Sequence, residues 1–106
     1  MDKIIDFNKC WHGNLPYYDE LVCYSAQKGA EAPFIVANAF ARGYIVEKNP
    51  IAAFILYTEA MRKGIDKAKD EIRSLIKTMT PNQLNEAEDI IVCLDLSKIQ
   101  ISRSLH

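Results

Sequence analysis

Residues 32–64, APFIVANAFARGYIVEKNPIAAFILYTEAMRKG, read as one helical hairpin. A first helix is expected from about Ala32 to Arg42, with Gly43 stopping it. Asn49 and Pro50 start a second, which runs to about Lys63 and ends at Gly64. Asparagine suits the N-cap because its side-chain oxygen accepts from free amides of the first turn. Proline at the first helical position lacks an N–H that would be unpaired there anyway, and its φ is already helical. Gly64 can adopt the left-handed conformation that closes a helix.

The expected buried faces follow from spacing. Ala32, Ile35, Val36, Ala39 and Phe40 share one face of the first helix, and Ala53, Tyr57, Ala60, Met61 and Gly64 form a stripe on the second. On both, small residues interleave with large ones, which lets two backbones approach closely while an aromatic ring fills the groove. These features suit a helical hairpin of any kind.

The spacing also resembles the Sel-one-like repeat, a relative of the tetratricopeptide repeat. Ala32 stands at that family's opening alanine, Val36 and Ala37 at its Leu-Gly pair, and Phe40 at its aromatic position. Gly43 matches the first loop glycine, Val46 the loop valine, and Asn49 the position of an aspartate. Ala53 matches the alanine of the second helix, and Leu56 with Tyr57 its aromatic pair. Ala60 and Met61 replace Ala-Ala, and Gly64 is the closing glycine. Two positions depart from the pattern. Ile45 replaces the second loop glycine, so the turn is expected to do without a positive φ there. Met61 replaces an alanine, making the contact with a following unit bulkier.

An internal repeat stands apart from that resemblance. Gly29 and Gly64 are 35 residues apart, and the same offset places Asn14 on Asn49, Leu21 on Leu56, Val22 on Tyr57 and Ser25 on Ala60. Helical solenoid units recur every ~34 to 40 residues. Residues 1–31 then form a degenerate N-terminal unit or cap. Within it, Ile4, Phe7 and Trp11 suggest a short helix, and a second runs from Pro16 to Lys28. After Gly64, the residues Ile65, Ala68, Ile72, Leu75, Ile76 and Met79 form a helical stripe. Thr80-Pro81-Asn82-Gln83 is a capping box, starting a helix whose inner face is Leu84, Ala87, Ile91 and Leu94. Val92, Leu94 and Leu96 alternate, but a single strand has nothing here to pair with, so residues 96–106 read as a frayed helix end and tail. The expected fold is all-α: a short α-α superhelix, or solenoid, of antiparallel hairpins with about five helices in a single domain, residues 1–106, the C-terminal unit spanning 65–106. So short an array needs capped ends, for which Trp11, Tyr17 and Tyr18 are suited, or it dimerises through them, leaving monomer and dimer both open.

Composition narrows the function. Thirteen basic and fourteen acidic residues give a formal charge of −1, without the basic footprint of a nucleic-acid binder. Arg62 and Lys63 are the basic last turn of a helix. No stretch reaches transmembrane length, and no membrane partner is expected. The N-terminus is too broken by charge for a signal peptide, so with Met1 as the start a cytoplasmic protein is expected. Cys10, Cys23 and Cys93 lack metal-ligand spacing and are expected to be buried, reduced thiols.

No catalytic or cofactor constellation emerges. Cys10 and His12, two apart, do not face each other on a helix and have no orienting third group. His106 is the last residue. Asp19 and Glu20 suit a helix's first turn, and Glu86, Glu88 and Asp89 a solvated face. Neither a metal nor a cofactor is expected, and the chain is read as a non-enzyme. The resemblance implies an interaction module that binds another protein on a groove lined by the first helices of successive units. With Ala68 as the counterpart of Ala32, that groove is expected to hold Phe34, Asn38, Ala41, Arg42, Asp70, Ser74 and Lys77, all facing away from the hairpin core. The alternative is a dedicated inhibitor, such as an immunity protein that sequesters one bacterial toxin or secreted effector.

Overall fold

The computed structural model describes residues 31–93, together with Cys23 and Gly29. Among them the chain is all-α, with four helices: α1 Ala32–Arg42, α2 Pro50–Arg62, α3 Lys67–Ile76 and α4 Pro81–Cys93. The helices expected over 1–13 and Pro16–Lys28, the aromatic cap, the Cys10–His12 pair, His106 and the tail over 96–106 lie outside the described residues.

The hairpin at residues 32–64 has the expected bounds, and its loop is made by backbone geometry. Gly43 takes φ 68°, and the Tyr44 N–H donates back to the Ala39 carbonyl at 2.9 Å, which is the six-to-one closure of a Schellman turn. A Cβ at Gly43 would also sit 3.3 Å from the Lys48 Cβ, so the position is tight as well as left-handed. Val46 then turns into the core, and the Asn49 N–H donates to the Phe40 carbonyl at 2.9 Å. Asn49 caps α2 through its side-chain oxygen, which accepts from the Ala52 N–H at 3.1 Å.

The helix α2 is the centre of the structure, packing against α1, α3 and α4. The single stripe expected on it understates its burial. Every residue from Ile51 to Tyr57 is buried, because three helices enclose it, and a helix apolar all round has to be enclosed. Its one buried charge, Glu59, is also the only buried charged side chain among the described residues. Arg62 donates to both of its carboxylate oxygens, at 2.9 and 3.0 Å, and the Lys63 ammonium lies 3.7 Å away. Pairing of this kind is what makes a buried carboxylate tolerable.

The other helices follow their sequence signals with small shifts. The capping box forms in both directions: the Gln83 N–H donates to Thr80 Oγ1 at 3.1 Å, and the Thr80 N–H donates to Gln83 Oε1 at 2.9 Å. On α4 the buried residues are Ala87 and Ile90, with Leu84 and Ile91 half-buried. On α3 and the turn after it, Ala68, Leu75 and Met79 are buried, Ile65 and Ile72 pack against the core, and Ile76 is exposed at its edge. Glu86, Glu88 and Asp89 are exposed, as a solvated face requires.

The cysteine expectation is corrected. Cys23 is a free thiol, but exposed. Cys93 is disulfide-bonded, to a partner outside the described residues. Disulfides persist in oxidising compartments, so this bond removes one support of the cytoplasmic expectation. Among the described residues, no helix is long and apolar enough to cross a membrane.

Tyr57, 1% exposed, is the largest fully buried side chain among the described residues. Replacing it with alanine should cost ~3 to 5 kcal/mol, read as a lower denaturant midpoint with unchanged slope. An unchanged midpoint would contradict its place in the core.

Candidate functional site: the outer face of α1 and its loop

Residues three and four apart share a helix face, so Ile35, Asn38, Ala39 and Arg42 line one side of α1. This side lies opposite the buried Val36, Ala37 and Phe40. Together with Gly43, Tyr44 and Ile45 of the loop it lines a half-open pocket of about 430 Å³. Tyr44 and Ile45 form its outer wall and are 68% and 63% exposed.

Ile45 is held at φ 74°, the only non-glycine residue with positive φ among the described residues. The turn therefore uses the left-handed conformation at the position where it was expected to avoid it. For a β-branched residue this backbone is strained. The closures on either side, Tyr44 to Ala39 and Asn49 to Phe40, fix the loop ends and enforce it. An exposed apolar side chain on a strained backbone is a combination that folding alone does not reward.

The polar lining is ordered from beneath. The buried Tyr57 hydroxyl donates to Asn38 Oδ1. Burial pushes the Tyr57 phenol up to about 12, with the Glu71 carboxylate adding to the shift and Arg42 opposing it. The phenol therefore stays protonated and keeps its role as donor. Oδ1 accepts this bond with one of its two lone pairs, and the Nδ2 donor has no protein partner among the described residues. Arg42, one turn further along, is held by Glu71 of α3 at 4.0 Å in an exposed, weak ion pair.

The seven residues expected to form a groove separate. Asn38 and Arg42 line the pocket. Phe34 does not face away from the hairpin. It is buried against Tyr57, ring centroids 5.7 Å apart, with the Lys67 ammonium 4.9 Å from its centroid. Ala41 is half-buried and packs against the core. Both were assigned outward because the buried arc of α1 is wider than the five-residue face expected of it. Asp70, Ser74 and Lys77 are exposed on or just beyond α3 but do not line this pocket, and Asp70 pairs with Arg73 at 3.4 Å. Ile35, expected in the core, is half-buried in the pocket wall. Sequence reasoning passed over Tyr44 and Ile45. The available signal was an aromatic and a β-branched residue directly after a helix-stopping glycine, where polar turn residues are usual.

Compared with family models, curated proteins and solved structures, the chain matches none of them.

Substituting Ile45 with glycine tests the strain. Left-handed backbone costs a non-glycine residue ~1 to 2 kcal/mol, and glycine's greater unfolded-state freedom returns part of that. The variant should be more stable by roughly 1 kcal/mol, a rise of about 4 to 8 °C in melting temperature. A lower melting temperature would show that Ile45 is not strained.

Proposed function

We propose that this protein is a non-enzymatic protein–protein interaction module, a short helical array of the Sel-one-like repeat type. The binding surface is the outer face of α1, with the loop that follows. The observation that carries this reading is the pair Tyr44 and Ile45, held out in solvent beside an apolar-walled pocket by a strained, fully closed turn. Tyrosine next to arginine is the composition enriched at interface hot spots, and Tyr44 with Arg42 provides it where Phe34 does not. The repeat assignment is supported by the hairpin bounds at residues 32–64, the Gly43 and Asn49 caps, and the succession of helical elements after Gly64.

Site-specific photocrosslinking tests the surface. A photoreactive phenylalanine analogue at Ile45, in cells that make the protein naturally, should give a discrete protein adduct. The same group at Glu88, on the exposed face of α4, should not. One dominant partner would make the protein an inhibitor of that partner, and several would make it an adaptor. Equal adducts from both positions, or adducts from Glu88 alone, would contradict the proposed surface.

A further inference from the structure

The pocket's chemistry is specific enough to name the group it receives. Its two polar side chains on α1 are rich in donors: Asn38 has Nδ2 free while its Oδ1 already accepts from Tyr57, and Arg42 brings a positively charged guanidinium. Around them the walls are Ile35, Ala39 and Ile45. A purely apolar occupant would leave Nδ2 without an acceptor, and a donor-bearing occupant would face two donors and a positive charge. A carboxylate answers both, since it offers acceptors alone and carries the complementary charge. The Glu71 carboxylate, 4.0 Å from Arg42, does not saturate a guanidinium with five N–H groups.

We infer that the pocket takes an acidic side chain of a partner polypeptide, flanked by an aliphatic residue: the carboxylate accepts from Asn38 Nδ2 and Arg42, and the aliphatic group packs between Ile35, Ala39 and Ile45. This rests on the interaction-module reading and adds what the surface recognises. A polypeptide is the occupant because Tyr44 and Ile45, both exposed at the pocket's edge, offer more apolar surface than one acidic side chain covers and so call for flanking residues.

The test uses the full chain, labelled for NMR, with two end-blocked peptides, Gly-Leu-Glu-Leu-Gly and Gly-Leu-Gln-Leu-Gly, and with 4-methylpentanoate as a small carboxylate. The glutamate peptide should bind about tenfold more tightly than the glutamine peptide, the factor expected from one charge-assisted contact. Its shifts should map to the Asn38 side-chain amide and the Ile35 and Ile45 methyls. Asn38→Asp keeps an acceptor for the Tyr57 hydroxyl but replaces the outward donor with an acceptor. That variant should lose or reverse the preference, and Arg42→Gln should weaken it. Equal binding of the two peptides overturns the inference while leaving a peptide-docking surface in place. No binding by either peptide, or a preference surviving in Asn38→Asp, also overturns it, with the crosslinking result deciding the broader reading independently. If 4-methylpentanoate binds as tightly as the glutamate peptide, the pocket serves a small carboxylate and the inference is overturned, the interaction-module reading still resting on the crosslinking result.

Discussion

A helix with apolar residues on every side cannot rest on a surface, so α2 has to be enclosed and its neighbours are placed around it. Its run from Ile51 to Tyr57 is buried without interruption, and α1, α3 and α4 all pack against it. The small residues Ala52, Ala53 and Ala60, each fully buried, are where neighbouring backbones can come close. The one charge on its buried surface, Glu59, is matched within its own helix end by Arg62 and Lys63. Among the described residues, no other element carries a buried charge.

One polar bond connects that core to the outer surface. Tyr57 fills the space beneath α1 and Phe34, and its hydroxyl reaches Asn38 on the far flank of α1. The same bond ties two helices together and leaves the Asn38 Nδ2 donor without a protein partner among the described residues. The arrangement is directional because the phenol remains a donor: burial and the nearby Glu71 disfavour its ionised form. The loop contributes the other half of the surface. Its two backbone closures hold Tyr44 and Ile45 outward, at a conformational cost borne by Ile45.

The parts legible in the sequence were those written in local chemistry. The Gly43 stop, the Asn49 cap with Pro50, and the reciprocal Thr80–Gln83 bonds each depend on residues within a few positions, and all are in place. Periodicity located Tyr57 in the core. It failed where burial depends on how many neighbours a helix acquires. A single stripe was read on α2, and Phe34 and Ala41 were read as outward, because enclosure by three partners is a tertiary fact. Ile45 was misread for a related reason. Propensity argues against a left-handed isoleucine, but ring closures on both sides leave that residue no alternative. Likewise, the pairing of Cys93 depends on which residues fold beside it, and spacing does not report that.

Alkaline titration of tyrosinate absorbance reports on the buried, protonated Tyr57 hydroxyl that links the core to Asn38. The chain has five tyrosines, and an unperturbed phenol ionises near pH 10. Because the folded-state value of Tyr57 is raised to about 12, the stability it contributes is complete below pH 10 and is lost as pH climbs toward 12. One tyrosine should ionise only near pH 12, or together with unfolding, and should disappear from the titration of Tyr57→Phe. If all the tyrosines of the folded protein ionise near pH 10, and Tyr57→Phe merely removes one of that group, the buried donor does not exist and the pocket's order has no basis.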